Sequence, residues 1–327
     1  MKAWQIVDSG EPNKVLELTD KLIPVLNPGH IRFAVHAVAL SLPDVLMCRG
    51  IYAFKPQLPF TPGQEFVGEV IECADDVSLF KLGDRVAGVS SFFTGDGAYA
   101  EQTVAMESSV YPVSESMSDE QAAAFIIAYH TAYVGLVLRA GLVAGETVLV
   151  HGGSGGVGSA AIQLAKALGA RVIACAGGLE KVAVCKQLGA DVVIDHQETS
   201  FVDAVKELTD GRGVNVIYDP VGGDTYEQSF ACLASQGRMI PIGFASGRWG
   251  NTPLDSVVFN NFSVIGAIPA GFDRPVVLDY HNKLIELYDQ GKITNLIDHT
   301  IGCDEVPQGL QEVADRKSVG RIVMLNG

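Results

Sequence analysis

Residues 147–169 read TVLVHGGSGGVGSAAIQLAKALG, and no other stretch limits the possible folds as tightly. Thr147, Val148, Leu149 and Val150 form a β-branched and aliphatic run that suits a buried parallel strand. Gly153, Gly155 and Gly158 follow in G-x-G-x-x-G spacing. Ala160, Ala161, Leu164, Ala165 and Leu168 then recur at helical spacing. Strand, glycine turn and helix together are the context in which this spacing carries meaning. The glycines permit a tight turn and a close backbone approach, and the helix start leaves amide N–H groups open. Those amides and the helix dipole can hold a pyrophosphate. The plain alternative is a glycine turn that only packs a helix against a sheet. With both flanks in place, Gly153, Ser154, Gly155, Gly156, Val157 and Gly158 are read as a dinucleotide contact.

Strands and helices alternate from residue 147 to about 265. Strands are expected at 147–150, 171–175, 192–194, 214–218, 238–242 and 263–266, with helices at 159–168, 180–188, 200–209 and 225–233. Six strands with helices between them make a doubly wound parallel sheet. The first 120 residues read differently, as short β-like runs at 2–7, 31–40, 65–73, 85–89 and 98–104 divided by Gly and Pro. That spacing predicts a compact β-rich domain. Residues 79–86, LFKLGDRV, read as a turn that delivers an ionic pair beside a strand. Ser118 and Gln121 form a capping box that opens a long buried helix over 122–138, with a break near Tyr129. After residue 270 come one amphipathic helix, 275–290, and a closing strand, 321–324, returning to the first domain. The fold class is thus α/β: a Rossmann-type sheet plus a β-rich domain, divided as 1–122 with 268–327, and 123–267.

At 327 residues the chain exceeds the usual size of one core, in keeping with two domains. A net charge of −15 disfavours nucleic acid and anionic membranes as partners. It leaves room for an anionic cofactor, because local amides and a few cations overrule a global charge. Six cysteines are scattered without a C-x-x-C pair and read as reduced packing residues of a cytosolic protein. The N-terminus turns polar too early for a signal peptide, and no apolar run reaches about 18 residues. Cytoplasm is the expected compartment.

Several segments resemble the medium-chain dehydrogenase/reductases, in their quinone oxidoreductase (zeta-crystallin-like) branch. They are VLVHGGSGGVG at 148–158, LPFTPGQE at 58–65, HTAY at 130–133, DPVGGD at 219–224 and IGFASG at 242–247. The matches run in order from near residue 30 to GRIV at 320–323, covering nearly the whole chain. The resemblance implies a GroES-like catalytic domain, a Rossmann domain and a cofactor cleft between them.

It also bears on metal. Zinc alcohol dehydrogenases of the superfamily hold a Lewis acid with thiolate and imidazole ligands. The three ligand positions fall here at Ser41, Gln64 and near Ile127, and the cysteine-rich structural-zinc lobe is absent. Cys48 has no partner ligand in sequence. No metal is expected.

The strand that in NAD-preferring enzymes ends in an acid, about 20 residues past the first glycine, ends here in Ala176, followed by Gly177 and Gly178. No carboxylate is then expected to repel a 2′-phosphate, and the two glycines should offer free amides. Lys181 reads either as a phosphate contact or as a solvated helix lysine. His196 reads either as a neighbour of the adenosine phosphate, by the resemblance, or as a loop histidine. NADP(H) is the expected cofactor.

By the resemblance, the nicotinamide site draws on Ser41, Asp44 and Leu46, on Thr131, on Gly243, Phe244, Ala245 and Ser246, and on Ile268, Pro269 and Ala270. Asn or Cys is usual where Ser41 stands. Asp44 reads as an acid–base group or as the anchor of a backbone turn. Reduction of a quinone or enone leaves an oxyanion that needs a donor, and Tyr52 matches a tyrosine proposed as proton donor in related enoyl reductases; a cleft-lining aromatic is its plain reading. His130 reads as a nicotinamide neighbour or a helix histidine bonded to a carbonyl, and Arg49 as a salt-bridge residue or a mouth for an anionic substrate. The expected activity is NADPH-dependent reduction of a quinone or α,β-unsaturated carbonyl. An enoyl-thioester reductase and a non-catalytic, crystallin-like NADPH-binding protein are the alternatives. Two copies are expected to pair through the apolar edge segment 262–267, unless that strand is interior.

Overall fold

The computed structural model describes residues 1–326. They divide into two compact units, Met1–Ile127 with the chain from Ile297 onward, and Ala128–Leu296. The segment 268–296, grouped above with the first domain, lies in the second unit.

The first unit opens with β1 (Lys2–Ile6) and β2 (Leu16–Asp20), an antiparallel pair. Its main sheet contains β3 (His30–Ala39), β4 (Glu65–Cys73), β5 (Arg85–Val89), β6 (Gln102–Met106) and β7 (Val110–Pro112). β3 is its centre, antiparallel to β4 and β6, and Ile31, Phe33, Ala37, Val38 and Ala39 on it are fully buried. The strand expected at 98–104 starts only at Gln102. Before it, the amides of Gly97 and Ala98 donate to Thr61 O (2.9 Å) and Gly63 O (2.8 Å), which spends this stretch on a neighbouring loop. The ionic pair expected near Asp84 also differs. The Asp84 carboxylate accepts from the Lys81 amide (2.9 Å), whereas Arg85 pairs with Asp119 (2.6 Å) and donates to Met117 O.

The single helix expected over 122–138 is segmented. Ser118 caps Asp119–Ala123 through the Gln121 amide; a second helix spans Ile126–Tyr133, and a π-helical stretch, Val134–Arg139, continues it. The break falls before Ile126, not near Tyr129. There the buried Glu65 carboxylate accepts from the Ile127 amide (2.8 Å), taking the place of an i−4 carbonyl and letting a helix restart.

In the second unit, β8 (Thr147–Val150), β9 (Arg171–Ala176), β10 (Val192–Asp195), β11 (Val214–Asp219), β12 (Leu233–Pro241) and β13 (Ser263–Val264) form one parallel sheet in the order β10-β9-β8-β11-β12-β13. Helices Gly156–Ala167, Leu179–Gln187, Phe201–Leu208 and Gly223–Ser229 alternate with the strands. This is the doubly wound order, with its reversal between β8 and β11. The core between strands and helices is aliphatic and aromatic, including Leu149, Ile173, Val205, Ile217 and Met239. The helix expected to reach residue 233 ends at Ser229, because β12 begins at Leu233, early enough to pair with Val214. β13 is short and terminal, so the interior reading of that strand falls away.

The chain returns to the first unit as β14 (Ile297–Gly302) and β15 (Arg321–Leu325), and β15 pairs antiparallel with β3. All six cysteines are free, with Cys48, Cys175, Cys185 and Cys232 buried. Among the described residues no helix is long and apolar enough to cross a membrane.

Candidate active site

The glycine loop leaves the carboxyl end of β8 next to the strand-order reversal, where ligands of such sheets bind. The loop is tied down by its own backbone. Gly153 N–H donates to Cys175 O (3.0 Å) on β9, and Gly155 N–H to Gly152 O (3.0 Å). Gly155 is the N-cap of helix Gly156–Ala167, no side chain caps that terminus, and its first turn carries no acid. The amides of Gly156, Val157 and Gly158 head the helix, beyond the reach of any intrahelical carbonyl. Each glycine has its own task. A Cβ on Gly158 would sit 2.1 Å from Gly152 O, so that glycine lets the turn close on itself. A Cβ on Gly155 would meet nothing nearer than Gly152 O at 3.4 Å, which leaves a bare cradle before the open amides. That combination fits a pyrophosphate. His151 braces the loop from behind: its Nε2 bonds Ser229 Oγ (2.8 Å), and burial pushes its ring down to about 3, so it stays neutral.

The next strand ends as expected in Ala176, but the glycines after it are not both free. Asp195 stands in register opposite Ala176, and its carboxylate accepts from the Gly178 amide (3.1 and 3.2 Å) and the Gln197 amide (3.0 Å). The expected absence of a carboxylate here is therefore corrected: the acid comes from β10. A sequence search along β9 alone misses it, because the pairing of β10 with β9 brings it there. His196 lies against Gly177, whose Cβ would fall 2.9 Å from its Nε2. Lys181 is in the first turn of helix Leu179–Gln187, directly after these glycines.

At the ends of β11 and β12 two loops are laced together. Asp219 O accepts from the Ile242 and Gly243 amides, Pro220 O from Ala245, and Val221 O from Ser246. The Asp219 carboxylate is buried and holds the first of these turns by accepting from Val221 N–H (2.8 Å) and Gly222 N–H (3.2 Å). Burial lifts it to about 6, against those hydrogen bonds. Phe244 rests on Trp249, with ring centroids 4.8 Å apart. Thr131 is buried in helix Ile126–Tyr133. Beside it, His130 Nε2 meets His281 Nδ1 (3.1 Å), and its ring packs edge-on against Tyr280. Desolvation first, then the second ring, holds it well below the usual histidine range. Ile268, Pro269 and Ala270 follow β13 where the chain bends into a turn, with Ile268 exposed.

In the first unit Ser41, Gly63 and Tyr99 converge on one carboxylate. Asp44, fully buried, accepts from Ser41 Oγ (2.5 Å), Ser41 N–H (3.1 Å), Gly63 N–H (3.1 Å) and Tyr99 Oη (3.0 Å). It anchors turns at both ends of this cluster. Desolvation raises its pKa despite four donors. Leu46 and Met47, on the same helix Leu42–Cys48, are buried. Tyr52 is half-buried, and that burial raises its phenol pKa against a Gln64 hydrogen bond. Glu65, next to Gln64, pairs with Arg321 (3.0 Å), and burial carries it to about 7. Arg49 makes a bidentate pair with Glu11 (2.9 and 2.8 Å), the salt-bridge reading of that residue. Tyr99, Gly63 and Asp195 are the site neighbours that sequence reading missed; Gly63 lies in the segment LPFTPGQE but is not singled out by it, and Tyr99 and Asp195 lie in none of the matching segments.

A zinc ion does not fit this donor set. The Ser41 hydroxyl is committed to Asp44, the Gln64 amide lies 3.8 Å from Met47 Sδ, and Ile127 offers only a hydrocarbon side chain. Among the described residues no three His, Cys, Asp or Glu side chains gather as a metal site requires.

Comparison with known proteins agrees with this architecture. Residues 27–115 match the alcohol dehydrogenase GroES-like domain, and residues 156–288 the domain described as zinc-binding dehydrogenase. The chain is 37% identical to the quinone oxidoreductase-like protein 2 homolog of Nematostella vectensis, over 99% of its own length and 89% of the relative's. A quinone oxidoreductase from Pseudomonas syringae superposes with a TM-score of 0.89 at 31% identity, covering 99% of both chains. A mycobacterial protein solved in complex with NADPH gives 0.91 at 29% identity, covering 99% of this chain and 100% of its own. Fold and loop together define an oxidoreductase that uses a nicotinamide dinucleotide. The chain belongs to the medium-chain dehydrogenase/reductase superfamily, in its quinone oxidoreductase branch.

Proposed function

We propose that this chain is an NADPH-dependent, zinc-independent reductase of quinones or α,β-unsaturated carbonyls. The observation that carries the reading is the open helix start at Gly155–Gly158, an anion cradle of backbone amides at the strand-order reversal. Bound NADPH supplies the hydride; the chain supplies binding, orientation and a proton. Gly156, Val157 and Gly158 hold the pyrophosphate. Lys181 and His196, the basic groups beside Gly177 and Gly178, support NADPH over NADH, against the Asp195 carboxylate opposite Ala176. The laced loop Gly243–Ser246, together with Thr131 and Ile268–Ala270, is the nicotinamide contact of the second unit. Ser41, Asp44 and Leu46 are that of the first, with Asp44 as their anchor. Metal-free chemistry follows from the unsuitable residues Ser41, Gln64 and Ile127.

Tyr52 is the proton donor of this reading. A phenol whose pKa is raised by burial stays protonated at neutral pH, as a donor to a developing enolate or phenolate must. Mixing the protein with NADPH and 1,2-naphthoquinone or an enone should deplete absorbance at 340 nm. Tyr52→Phe should slow turnover 10- to 100-fold and leave the NADPH Kd within about twofold. NADPH binding without turnover across a broad acceptor panel would overturn the reductase reading, and turnover confined to enoyl thioesters would replace it.

Two copies pairing along β13 complete the proposal. The strand is a sheet edge, and Leu254, Val258 and Phe259 on the preceding helix are exposed large apolar side chains. Light scattering should give twice the chain mass for the wild type and a lower mass for Phe259→Asp.

A further inference from the structure

Asp195 brings to the second strand's end a charge that neither the glycine motif nor β9 supplies. It is the last residue of β10 and stands opposite Ala176, where an NAD-binding sheet carries its ribose acid. Two backbone amides, those of Gly178 and Gln197, fix the carboxylate there at 3.0–3.2 Å. The neighbouring His196 ring and Gln197 side chain lie against Gly177, on the same rim. The sheet thus restores, from the third strand, a negative charge that the second strand lacks.

Resting on the dinucleotide reading above, we infer that Asp195 is a specificity-determining residue that opposes the 2′-phosphate and holds the preference for NADPH over NADH down. A phosphate near this rim meets a fixed carboxylate, whereas a ribose 2′-hydroxyl meets an acceptor. Charge repulsion falls on one cofactor only. A residue that merely shaped the loop would act on both.

The test measures the Kd values of NADPH and NADH for wild type, Asp195→Asn and Asp195→Ser. Adenosine 2′,5′-bisphosphate and adenosine 5′-monophosphate serve as nicotinamide-free probes. Both substitutions keep an oxygen that can accept from the Gly178 amide while removing the charge. NADPH and the bisphosphate should bind about tenfold tighter, and NADH and the monophosphate should stay within about twofold. A tighter complex is not an outcome that a misfolded variant can give. Equal changes in all four ligands, or no change in any, would overturn the specificity role while leaving the cofactor reading intact. A wild-type chain that binds none of the four overturns both.

Discussion

The two units build their candidate residues from different materials. In the second unit the candidate surface is backbone: open amides at Gly156–Gly158, bare space at Gly155, and two loops joined carbonyl to amide at 219–221 and 242–246. In the first unit the surface is side chains, with Ser41, Gly63 and Tyr99 converging on Asp44 across 55 residues of chain. A backbone site depends on where side chains are missing, a side-chain site on where they are present. The two should therefore fail differently under substitution.

The largest effect is expected from the backbone site. Gly158→Val would push carbon into Gly152 O and C, atoms 2.1 and 2.8 Å from an ideal Cβ that cannot swing aside. We expect a loss of about 4 kcal/mol or more and no measurable NADPH binding, read by urea unfolding and titration. Gly155→Ala is the counterpart: stability near wild type, but NADPH binding weakened about tenfold, because the methyl fills only ligand space. If both variants lose stability equally, the bare-cradle description is wrong.

In the side-chain site, Asp44→Ala removes the acceptor of four donors from a buried position. A cost of about 3 kcal/mol is expected in urea unfolding. NADPH binding should weaken far less than in Gly158→Val; an equal loss would erase the contrast between the two units.

The third effect depends on pH. The Asp219 carboxyl titrates at about 6 when folded against 3.8 as its ordinary value, so the folded chain retains a proton the unfolded chain has released. Its contribution is present in full below about 3.8 and is lost as pH rises through 6, a change of at most about 3 kcal/mol. Asp219→Asn should flatten that part of the stability curve between pH 4 and 6.5. An unchanged slope would mean that the loop is held by its backbone bonds alone.

Smallest of all should be Glu11→Gln. The Arg49–Glu11 pair is a third or more exposed on both sides, where ion pairs contribute about 1 kcal/mol or less. A larger loss would show that this pair supports the neighbouring helix Leu42–Cys48 as well.

Much of the second unit was legible in the sequence. Its strands and helices follow one another within about 25 residues, and their hydrophobic periodicity is local. Residues 147–150 and 192–194 locate their strands to within a residue, and the glycine loop lies where its spacing puts it. Boundaries failed where a distant partner decided them. Glu65 restarts a helix at Ile126, Val214 draws β12 back to Leu233, and the Thr61–Gly63 loop occupies 97–98. The first unit was harder to read because its pairs are long-range: β15 on β3, Arg321 on Glu65, Tyr99 on Asp44.

By itself the sequence determined the alternating sheet, the glycine turn at a helix start and the unsuitability of Ser41 and Gln64 as metal ligands, because each depends on residue type at short spacing. The tertiary structure decided which charges meet. It set Asp195 beside Ala176 and Gly178, bound Arg85 to Asp119, and made Asp44 an anchor. Electrostatics act through distance in space, and only strand pairing and packing convert separations of 17, 34 or 55 residues along the chain into contacts near 3 Å.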